Sequence, residues 1–461
     1  LAAAAALASA LASSGGCSRG PDVPRHVVVI TLDTARADHF GFMGNDRVAT
    51  PALDALAAES VVFTDCMTAA PTTLASHTTL MTGKYPHHHG VARNGFMVNR
   101  KNVMLAEILK EAGFTPAGFA GSFALHSRFD FAQGFDHYDE EFDIAVGQGG
   151  AGTHQRVAEE VTDAVVRYLD GRGVPDRLFL FAHYFDPHSP YTAPPPFDTM
   201  YDPRGRAGLQ KTGWLSGGFT SSHRDARRLA LQYAAEISYT DHEVGRLLDD
   251  LRERGVLDDA LVVVTSDHGE NMTDHIEYFN HGLTVYQSTM HALALLRLPE
   301  AELAGSRVEG LVSNIDILAT VLAELELDAP EGIDGMAVPL RPEDGTLEPR
   351  VRYGEATKPP GQIEEGLIWP NTLKLRCVRD GRHKLIWSPD DGTRELYDVL
   401  ADPGEENNLL VGPAPGDSAR AEALWTRLEA WTLSADPLPS HFDEEHREET
   451  FEKLRSLGYL Q

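Results

Sequence analysis

Three apolar runs constrain the fold of this chain more than any other feature. Residues 27–30, 178–181 and 261–264 are consecutive apolar side chains without the alternation of a half-exposed strand. Such runs predict central strands of a parallel sheet that helices cover on both faces. Groups that can bind a metal or move a proton follow each run: Asp33; His183, Asp186 and His188; Asp267 and His268. Open α/β sheets bind ligands at the carboxyl ends of their strands, so we expect these groups to converge.

Helical periodicity fills the spaces between the strands. Apolar residues recur at spacings of three and four in five segments: 51–59, 104–112, 155–168, 226–254 and 315–325. This alternation predicts a doubly wound α/β fold with a mostly parallel central sheet flanked by helices. After Pro342 a tight turn at 379–382 indicates a smaller C-terminal α+β subdomain with an antiparallel sheet. The expected divisions are a leader and linker at 1–23, a large α/β domain at 24–348 and the C-terminal subdomain at 349–461.

The charge balance excludes one class of function. The chain has 69 acidic and 40 basic residues, for a formal net charge of -29. A surface so negative repels nucleic acids, and no basic block offsets it. A small anionic substrate must then be held by local positive charge, such as a metal ion.

The first residues resemble an export signal. Residues 1–12 are almost entirely Ala and Leu, and small residues then lead to Cys17. This pattern is typical of a secretory signal and is too short to span a membrane. Cys17 also stands where a bacterial lipoprotein carries its lipid, although Ser14 replaces the apolar residue expected three positions earlier. We expect an exported protein, either periplasmic or anchored to a membrane through Cys17.

Two strand ends carry side chains that suit a divalent metal ion. Asp33 and Asp267 offer carboxylate oxygens, and His268 offers an imidazole nitrogen. Calcium prefers oxygen ligands alone, whereas a mixed set suits transition metals. We therefore predict one divalent ion, with manganese, zinc or magnesium favoured over calcium. A second ion would have Asp186 and His188 as its candidate ligands.

The hydroxyl-rich segment 72–83 predicts a helix that begins near Thr73 and ends at Gly83. A hydroxyl in the first turn of a helix faces free backbone N–H groups and the positive end of the helix dipole, which favour an anionic ester or an alkoxide. Thr73 is thus a candidate nucleophile. The alternative is that Thr72 or Thr73 only caps the helix.

Seven short blocks follow one another in a fixed order. They are VVVITLDTARADH at 27–39, LMTGKYP at 80–86, FDPHSPY at 185–191, TSDHGE at 265–270, RDGRHKL at 379–385, ELYD at 395–398 and LGYL at 457–460. Together they resemble the sulfatase family of the alkaline phosphatase superfamily, from about Arg25 to the end of the chain. The resemblance implies a metal-dependent hydrolase of sulfate- or phosphate-type esters.

The same resemblance implies roles for individual residues. Four stand where the family's metal ligands stand: Asp33, Thr34, Asp267 and His268. His188 and His281 stand where relatives contact the substrate's oxyanion or protonate the leaving group, and an imidazole suits either role. Thr73 falls on the position of the nucleophile, which also contacts the metal.

Three residues depart from the family's nucleophile motif. Thr73 stands where sulfatases carry a Cys or Ser that is oxidised to formylglycine, and Thr cannot yield that aldehyde, so no formylglycine is expected. Ala75 stands where the motif has Pro, and His77 stands where it has Arg. We interpret His77 as a replacement for that Arg in contacting the oxyanion. Thr nucleophiles occur in other branches of the superfamily, such as phosphodiesterases and phosphoethanolamine transferases.

These departures leave three interpretations open. The first is a hydrolase of sulfate- or phosphate-type esters with Thr73 as its unmodified, metal-bound nucleophile. The second is a phosphodiesterase, a phosphonate hydrolase or a phosphoethanolamine-type transferase. A phospho-threonine can be hydrolysed by an activated water, whereas a sulfo-threonine has no intramolecular escape, so the chemistry favours phosphorus. The third is an inactive homologue that keeps an anion pocket, and the presence of Asp33, Asp267, His268 and His281 argues against it.

Overall fold

The computed structural model describes residues 23–142, 155–207, 209, 223–275, 279–341, 347–357, 374–443, 445–457 and 459. The proposed leader, with Cys17, lies outside the described residues apart from residue 23. Within these ranges, no helix combines the length and the apolar character needed to cross a bilayer.

The described chain contains fifteen strands. In chain order they are β1 (His26–Leu32), β2 (Val61–Phe63), β3 (Cys66–Met67), β4 (Thr115–Phe119), β5 (His137–Asp139), β6 (Leu178–Tyr184), β7 (Ala260–Ser266), β8 (His291–Ala292), β9 (Ala294–Arg297), β10 (Ser306–Val308), β11 (Val312–Ser313), β12 (Arg352–Thr357), β13 (Lys374–Arg379), β14 (His383–Ser388) and β15 (Thr393–Asp398). The main sheet has the order β10-β2-β9-β7-β1-β6-β4-β5. In it β9 runs antiparallel to its neighbours, and the other neighbouring pairs are parallel. A small sheet has the order β11-β3-β8, and β12 to β15 form an antiparallel sheet.

Ten α-helices connect and cover these strands in the described part of the chain. They are α1 (Pro51–Ala58), α2 (Thr73–Thr82), α3 (Pro86–His89), α4 (Leu105–Glu111), α5 (Ala158–Arg172), α6 (His223–Glu253), α7 (Gln287–Met290), α8 (Ile317–Glu324), α9 (Asp417–Leu433) and α10 (Arg447–Ser456). The doubly wound α/β fold with an antiparallel C-terminal sheet is confirmed.

The central strands have two buried faces, which explains why their sequences do not alternate. Val27 and Val29 of β1 enter one apolar core, and Val28 and Ile30 enter the other. Helices α2, α4 and α8 cover the first face, and α1, α5 and α6 cover the second. Each fully buried Val or Ile side chain contributes about 1.5–3 kcal/mol, so both faces favour apolar residues at every position.

The predicted helices are present, with shifted ends. The helix predicted at 155–168 begins at Ala158, because the backbone before it pairs with the segment that follows β4: Gln155 forms a β-bridge with Ser122, and the Arg156 N–H donates to the Gly121 carbonyl. It continues to Arg172 and ends at Gly173. Helix α2 spans the expected residues, and Gly83 ends it in the left-handed conformation at φ 65°. Glycine adopts this conformation without the steric cost of a Cβ.

The register of the central strands brings the site together. Leu32 at the end of β1 lies opposite Tyr184 of β6 and Ser266 of β7. The next residues, Asp33 and Asp267, therefore leave neighbouring parallel strands at the same edge of the sheet. Because the strands are parallel, side chains far apart in sequence meet at this edge.

Candidate active site

Asp33, Asp267 and His268 form a buried cluster at the carboxyl edge of the main sheet. One ligand atom from each lies within 4.8 Å of the other two. His268 Nε2 is 3.4 Å from Asp267 Oδ2 and 4.0 Å from Asp33 Oδ1. Among the described residues no hydrogen-bond partner reaches these three atoms. The sequence-predicted ligands Asp33, Asp267 and His268 thus converge.

The donor atoms of this cluster fit a divalent cation. Buried polar atoms are normally satisfied by hydrogen bonds, so unpartnered atoms that face one another indicate a missing ligand. The His268 Nδ1–H group donates to the Gly269 carbonyl at 2.9 Å, so that in the neutral ring Nε2 is the nitrogen with the lone pair. A carbonyl contact of this kind commonly orients a metal-binding imidazole. Two carboxylates and one imidazole supply the mixed donor set that suits a transition metal.

The two carboxylates repel each other in the bare protein. Burial raises the pKa of Asp33, and burial together with the neighbouring Asp33 charge raises the pKa of Asp267. Two buried anions without a counterion are unfavourable, because no attractive interaction offsets the free energy of their desolvation. A bound cation would remove this penalty.

Thr34, next to Asp33, has a strained backbone. Its φ is 57°, in the left-handed region that a β-branched residue rarely adopts, at a cost of about 1–3 kcal/mol. Two contacts hold this conformation: Thr34 N–H donates to Asp267 Oδ1 at 3.1 Å, and the Tyr233 hydroxyl donates to the Thr34 carbonyl at 2.7 Å. The Thr34 hydroxyl is buried and has no hydrogen-bond partner in the described chain. Thr34 thus stays a candidate ligand rather than an established member of the cluster.

Thr73 opens helix α2 next to the cluster. Its side chain is fully buried, and its Oγ1 lies 3.3 Å from Asp33 Oδ2. Neither Thr72 nor Thr73 caps the helix with its hydroxyl; the Asn94 side chain instead accepts a hydrogen bond from the Leu74 N–H at 2.7 Å. The capping alternative is therefore not what the structure shows, and the Thr73 hydroxyl points toward the carboxylate–imidazole cluster.

The oxyanion role suggested for His77 does not fit this geometry. Its Nδ1–H group donates to the Thr73 carbonyl at 2.7 Å, and its Nε2 accepts from the Thr31 hydroxyl at 2.9 Å. The ring is fully buried, and burial lowers its pKa to about 3. With both nitrogens engaged, His77 joins helix α2 to β1 and has no free donor for an anion.

His188 and His281 lie side by side, with ring centroids 5.0 Å apart. The His188 Nδ1–H group donates to the Ser189 carbonyl at 2.7 Å, and within the described residues its buried Nε2 has no partner. Burial lowers the pKa of His188 to about 3 and that of His281 well below its usual value. Both rings are thus neutral in the bare protein and can accept a proton or a ligand.

Sequence reasoning assigned no role to Glu270, which orients His281. Glu270 Oε1 lies 3.2 Å from His281 Nδ1, and its Oε2 accepts from the Tyr191 hydroxyl at 3.1 Å. Burial raises the pKa of Glu270 to about 8. Its position three residues after Asp267 was visible in the sequence, but nothing there indicated its partner.

Two further residues belong to the site: His183, which the sequence placed at this edge without a specific role, and Tyr459, which it did not place there. His183 Nε2 lies 3.3 Å from Asp33 Oδ2, and the Tyr459 hydroxyl lies 3.3 Å from the same oxygen. His183 is near the end of a predicted strand and so carried a positional signal. Tyr459 comes from the far end of the chain, where no local pattern connects it with Thr73.

Asp186, a candidate ligand for a second ion, is hydrogen-bonded to the first turn of helix α5. Its Oδ2 accepts from the Ala158 N–H at 2.7 Å, so that it satisfies the first turn of α5. Among the described residues, the cluster of Asp33, Asp267 and His268 is the group that meets the geometric conditions for a metal ion.

A doubly wound sheet whose carboxyl edge carries such a site is characteristic of the alkaline phosphatase superfamily. Within it the chain belongs to the sulfatase family, whose profile matches residues 25–326. It is accordingly a sulfatase-like ester hydrolase. An ulvan-active sulfatase from Formosa agariphila is 26% identical over 84% of this chain and 77% of its own length.

Two solved structures show the same fold. One, a complex with its substrate D-glucosamine-2-N,6-O-disulfate, has a TM-score of 0.71 at 20% identity and covers 90% of this chain and 99% of that chain. The phosphonate monoester hydrolase of Agrobacterium radiobacter has a TM-score of 0.69 at 22% identity, over 89% of this chain and 96% of that chain. The fold is thus shared by proteins described as acting on sulfur and on phosphorus esters.

Proposed function

We propose that this chain hydrolyses small anionic sulfate- or phosphate-type esters with Thr73 as its unmodified nucleophile. The observation that carries the proposal is the 3.3 Å contact between Thr73 Oγ1 and Asp33 Oδ2, beside three unpartnered ligand atoms. Thr73 also lies in the first turn of α2, where the helix dipole and free N–H groups favour negative charge.

The proposal includes one divalent metal ion held by Asp33, Asp267 and His268, with Thr34 as a further candidate ligand. Such an ion would lower the pKa of a neighbouring hydroxyl and neutralise the ester oxyanion. The mixed oxygen and nitrogen donors favour manganese, zinc or magnesium over calcium.

The residues of the chain then have distinct tasks. Thr73 attacks the sulfur or phosphorus atom, and Asp33 Oδ2 is the neighbouring carboxylate oxygen that can accept its hydroxyl proton. We assign protonation of the leaving alkoxide to His281 or His188, whose rings both pack against Tyr459. Because both rings are neutral in the bare protein, the ring that acts first takes up a proton from solvent, which the negative charge of the bound ester favours. His77 holds the first turn of α2 through the Thr73 carbonyl.

Within this function we expect phosphate or phosphonate esters to react faster than sulfate esters. A phosphorylated Thr73 can be attacked by water at phosphorus, which releases the enzyme. A sulfated threonine lacks the collapse to an aldehyde by which formylglycine expels sulfate. The relative described as a phosphonate monoester hydrolase supports this order, and the relative described as a sulfatase keeps sulfate esters among the substrates to be tested.

One set of assays tests the proposal. Wild type is assayed with 4-nitrophenyl sulfate, 4-nitrophenyl phosphate, bis(4-nitrophenyl) phosphate and 4-nitrophenyl phenylphosphonate, each with Mn²⁺, Zn²⁺, Mg²⁺ or Ca²⁺. Thr73→Ala should abolish turnover without unfolding the protein. The matched control is Thr82→Ala, at the other end of the same helix, whose hydroxyl donates to the Thr78 carbonyl. Retained activity in Thr73→Ala would exclude Thr73, and inactivity of wild type toward every ester would favour the anion-binding homologue.

Export is part of the same proposal. The Ala- and Leu-rich residues 1–12 and the small residues before Cys17 support a secreted or periplasmic location, with a lipid on Cys17 as one form. Mass spectrometry of the mature N-terminus from a bacterial host distinguishes simple cleavage, lipidation and an unprocessed chain.

A further inference from the structure

We infer that Tyr459 is a catalytic residue that donates a hydrogen bond to the nucleophile oxygen of Thr73 when this oxygen is deprotonated. The C-terminal segment, described at residues 438–443, 445–457 and 459, would then complete an active site whose other groups lie at the carboxyl edge of the main sheet. This inference rests on the proposed function of Thr73.

The Tyr459 hydroxyl is placed between two groups of the site. It lies 3.0 Å from Thr73 Oγ1 and 3.3 Å from Asp33 Oδ2. Its ring centroid is 5.0 Å from that of His188 and 5.9 Å from that of His281. The side chain is buried, so its hydroxyl forms hydrogen bonds with the reacting groups instead of with water. Tyr459 thus touches the atom that attacks the ester.

The balance of donors and acceptors assigns its role. Asp33 Oδ2 is an acceptor, and Thr73 can give its hydroxyl hydrogen to it. With Thr73 protonated, its hydroxyl also donates to the Tyr459 oxygen at 3.0 Å, and the Tyr459 O–H donates to Asp33 Oδ2 at 3.3 Å. Once Oγ1 has lost its proton it can only accept, so the Tyr459 O–H turns from Asp33 and donates to Thr73 Oγ1. This donor matters most when Oγ1 carries negative charge, because hydrogen bonds to charged oxygens are the stronger ones.

Both chemical steps develop such charge. In the first, Oγ1 passes its proton to Asp33 Oδ2 and forms a bond to the sulfur or phosphorus atom, while the bond to the leaving alkoxide breaks and the alkoxide takes a proton from His281 or His188. In the second, a water oxygen forms that bond and gives a proton back to the same histidine, the bond to Oγ1 breaks, and Oγ1 regains its proton from Asp33. Tyr459 keeps its own proton throughout and acts only as a hydrogen-bond donor.

The C-terminal segment is hydrogen-bonded to residues 88–97, which follow helix α2 in the chain. Three backbone hydrogen bonds join the two: Leu438 N to His88 O at 3.0 Å, Met97 N to His441 O at 2.9 Å, and Asp443 N to Gly95 O at 3.0 Å. Arg93 in the same loop donates to the Tyr459 carbonyl at 3.3 Å. The position of Tyr459 relative to Thr73 is therefore set by several independent contacts.

The packing beneath this segment is equally close. A Cβ on Gly95 would lie 2.3 Å from the Phe442 ring and 2.9 Å from a Leu454 methyl group. Leu454 and Leu457 at the end of α10 are buried in the same core as the nucleophile helix. Tyr459 stands two positions after Leu457, so the docking of α10 brings its ring close to the site.

The test compares Tyr459→Phe with Tyr184→Phe. Tyr184 is a matched control because its buried hydroxyl bonds to Thr162, in the core on the other face of the sheet. With the ester that wild type turns over, Tyr459→Phe should lower kcat about ten- to hundredfold with KM changed less than about twofold, as expected for a hydrogen bond to a charged oxygen. Orthovanadate, a mimic of five-coordinate phosphorus, should bind Tyr459→Phe at least about tenfold more weakly. Tyr184→Phe should change neither quantity.

Each result decides between the two proposals. Normal kcat and vanadate affinity in Tyr459→Phe, together with an inactive Thr73→Ala, would overturn this inference alone. A faster Tyr459→Phe would also overturn it, because the side chain would then be blocking the nucleophile. Active Thr73→Ala, or inactive wild type, would remove the proposed function and this inference with it.

Discussion

His183 Nε2 lies 3.3 Å from Asp33 Oδ2, and the Gly121 N–H fixes which ring nitrogen carries the proton. That N–H is 3.2 Å from His183 Nδ1 and can only donate, so Nδ1 accepts and the Nε2–H group donates to Asp33. Burial lowers the pKa of His183 to about 4, which keeps the ring neutral. His183 thereby orients one carboxylate of the proposed metal site without adding charge.

Replacing His183 should weaken metal binding. In His183→Ala, Asp33 loses a donor that holds its orientation, and we expect Mn²⁺ affinity to fall about 10–100-fold, as for other groups that support metal ligands. Isothermal titration of the metal-free protein measures this change. His242→Ala, at a side chain 56% exposed on α6, is the control. An unchanged dissociation constant in His183→Ala would show that Asp33 needs no such support.

Replacing Asp33 by Asn should separate two effects on the free energy of unfolding: the repulsion between two carboxylates in the metal-free site, and the stabilisation by a bound ion. The amide oxygen can keep the contacts of Oδ2, while one of the two facing charges disappears. We expect metal-free Asp33→Asn to be more stable than metal-free wild type by roughly 1 kcal/mol. Wild type should gain about 2.7 kcal/mol from Mn²⁺ at a hundred times its dissociation constant, and the variant almost nothing. Urea unfolding with EDTA or Mn²⁺ measures both, and a variant still stabilised by Mn²⁺ would place the ion elsewhere.

A pair of glycines tests the docking of the C-terminal segment. Gly95 and Gly113 have nearly the same φ, 89° and 87°, but a Cβ on Gly113 meets nothing within 4 Å. Gly113→Ala should therefore cost only the backbone strain, about 1–2 kcal/mol. Gly95→Ala should cost a further 1–3 kcal/mol or so, because the new methyl group displaces Phe442.

Activity distinguishes the two glycine variants as well. Displacement of Phe442 should move Tyr459, so Gly95→Ala should also have a lower kcat, while Gly113→Ala keeps the wild-type value. Urea unfolding and steady-state kinetics measure the two effects. Equal losses in both variants would mean that the C-terminal segment adjusts without affecting the site.

The His88–Asp334 pair should make stability depend on pH. His88 Nδ1 lies 2.7 Å from Asp334 Oδ2, and the hydrogen bond to this carboxylate raises the pKa of His88. The unfolded value is about 6.5, so the stabilisation is complete below that pH and is lost as the pH rises through the higher folded value. For a partly exposed pair we expect less than about 1 kcal/mol.

His88→Gln and Asp334→Asn should each remove this component of the pH profile. Chemical unfolding at intervals between pH 5 and 9 measures it. If both variants keep the wild-type slope above pH 6.5, the pair does not contribute.

Much of the fold follows from patterns that span a few residues. The runs at 27–30, 178–181 and 261–264 became β1, β6 and β7, since side chains on both faces of each strand are buried. Asp33 and Asp267 could be predicted as neighbours because parallel strands end at one edge. Helix α2 was predictable from its apolar spacing and from Gly83.

Other parts of the site depend on contacts that local pattern does not contain. His77 was expected to contact an anion, but the Thr31 hydroxyl and the Thr73 carbonyl engage its two nitrogens. The same residue type at the same spacing could serve either role. Only the neighbours that surround the ring distinguish them.

The sequence alone determined the strands, the edge of the sheet where the chemistry lies and the residue types that suit a metal and a nucleophile, because these depend on short-range periodicity and on functional groups. Only the tertiary structure decided which ligand atoms have no hydrogen-bond partner, which histidines have a structural role and which hydroxyl is hydrogen-bonded to Thr73. Tyr459 shows the difference: hydrogen bonds act over about 3 Å, and no local rule predicts which residues the folding of the chain brings within that distance.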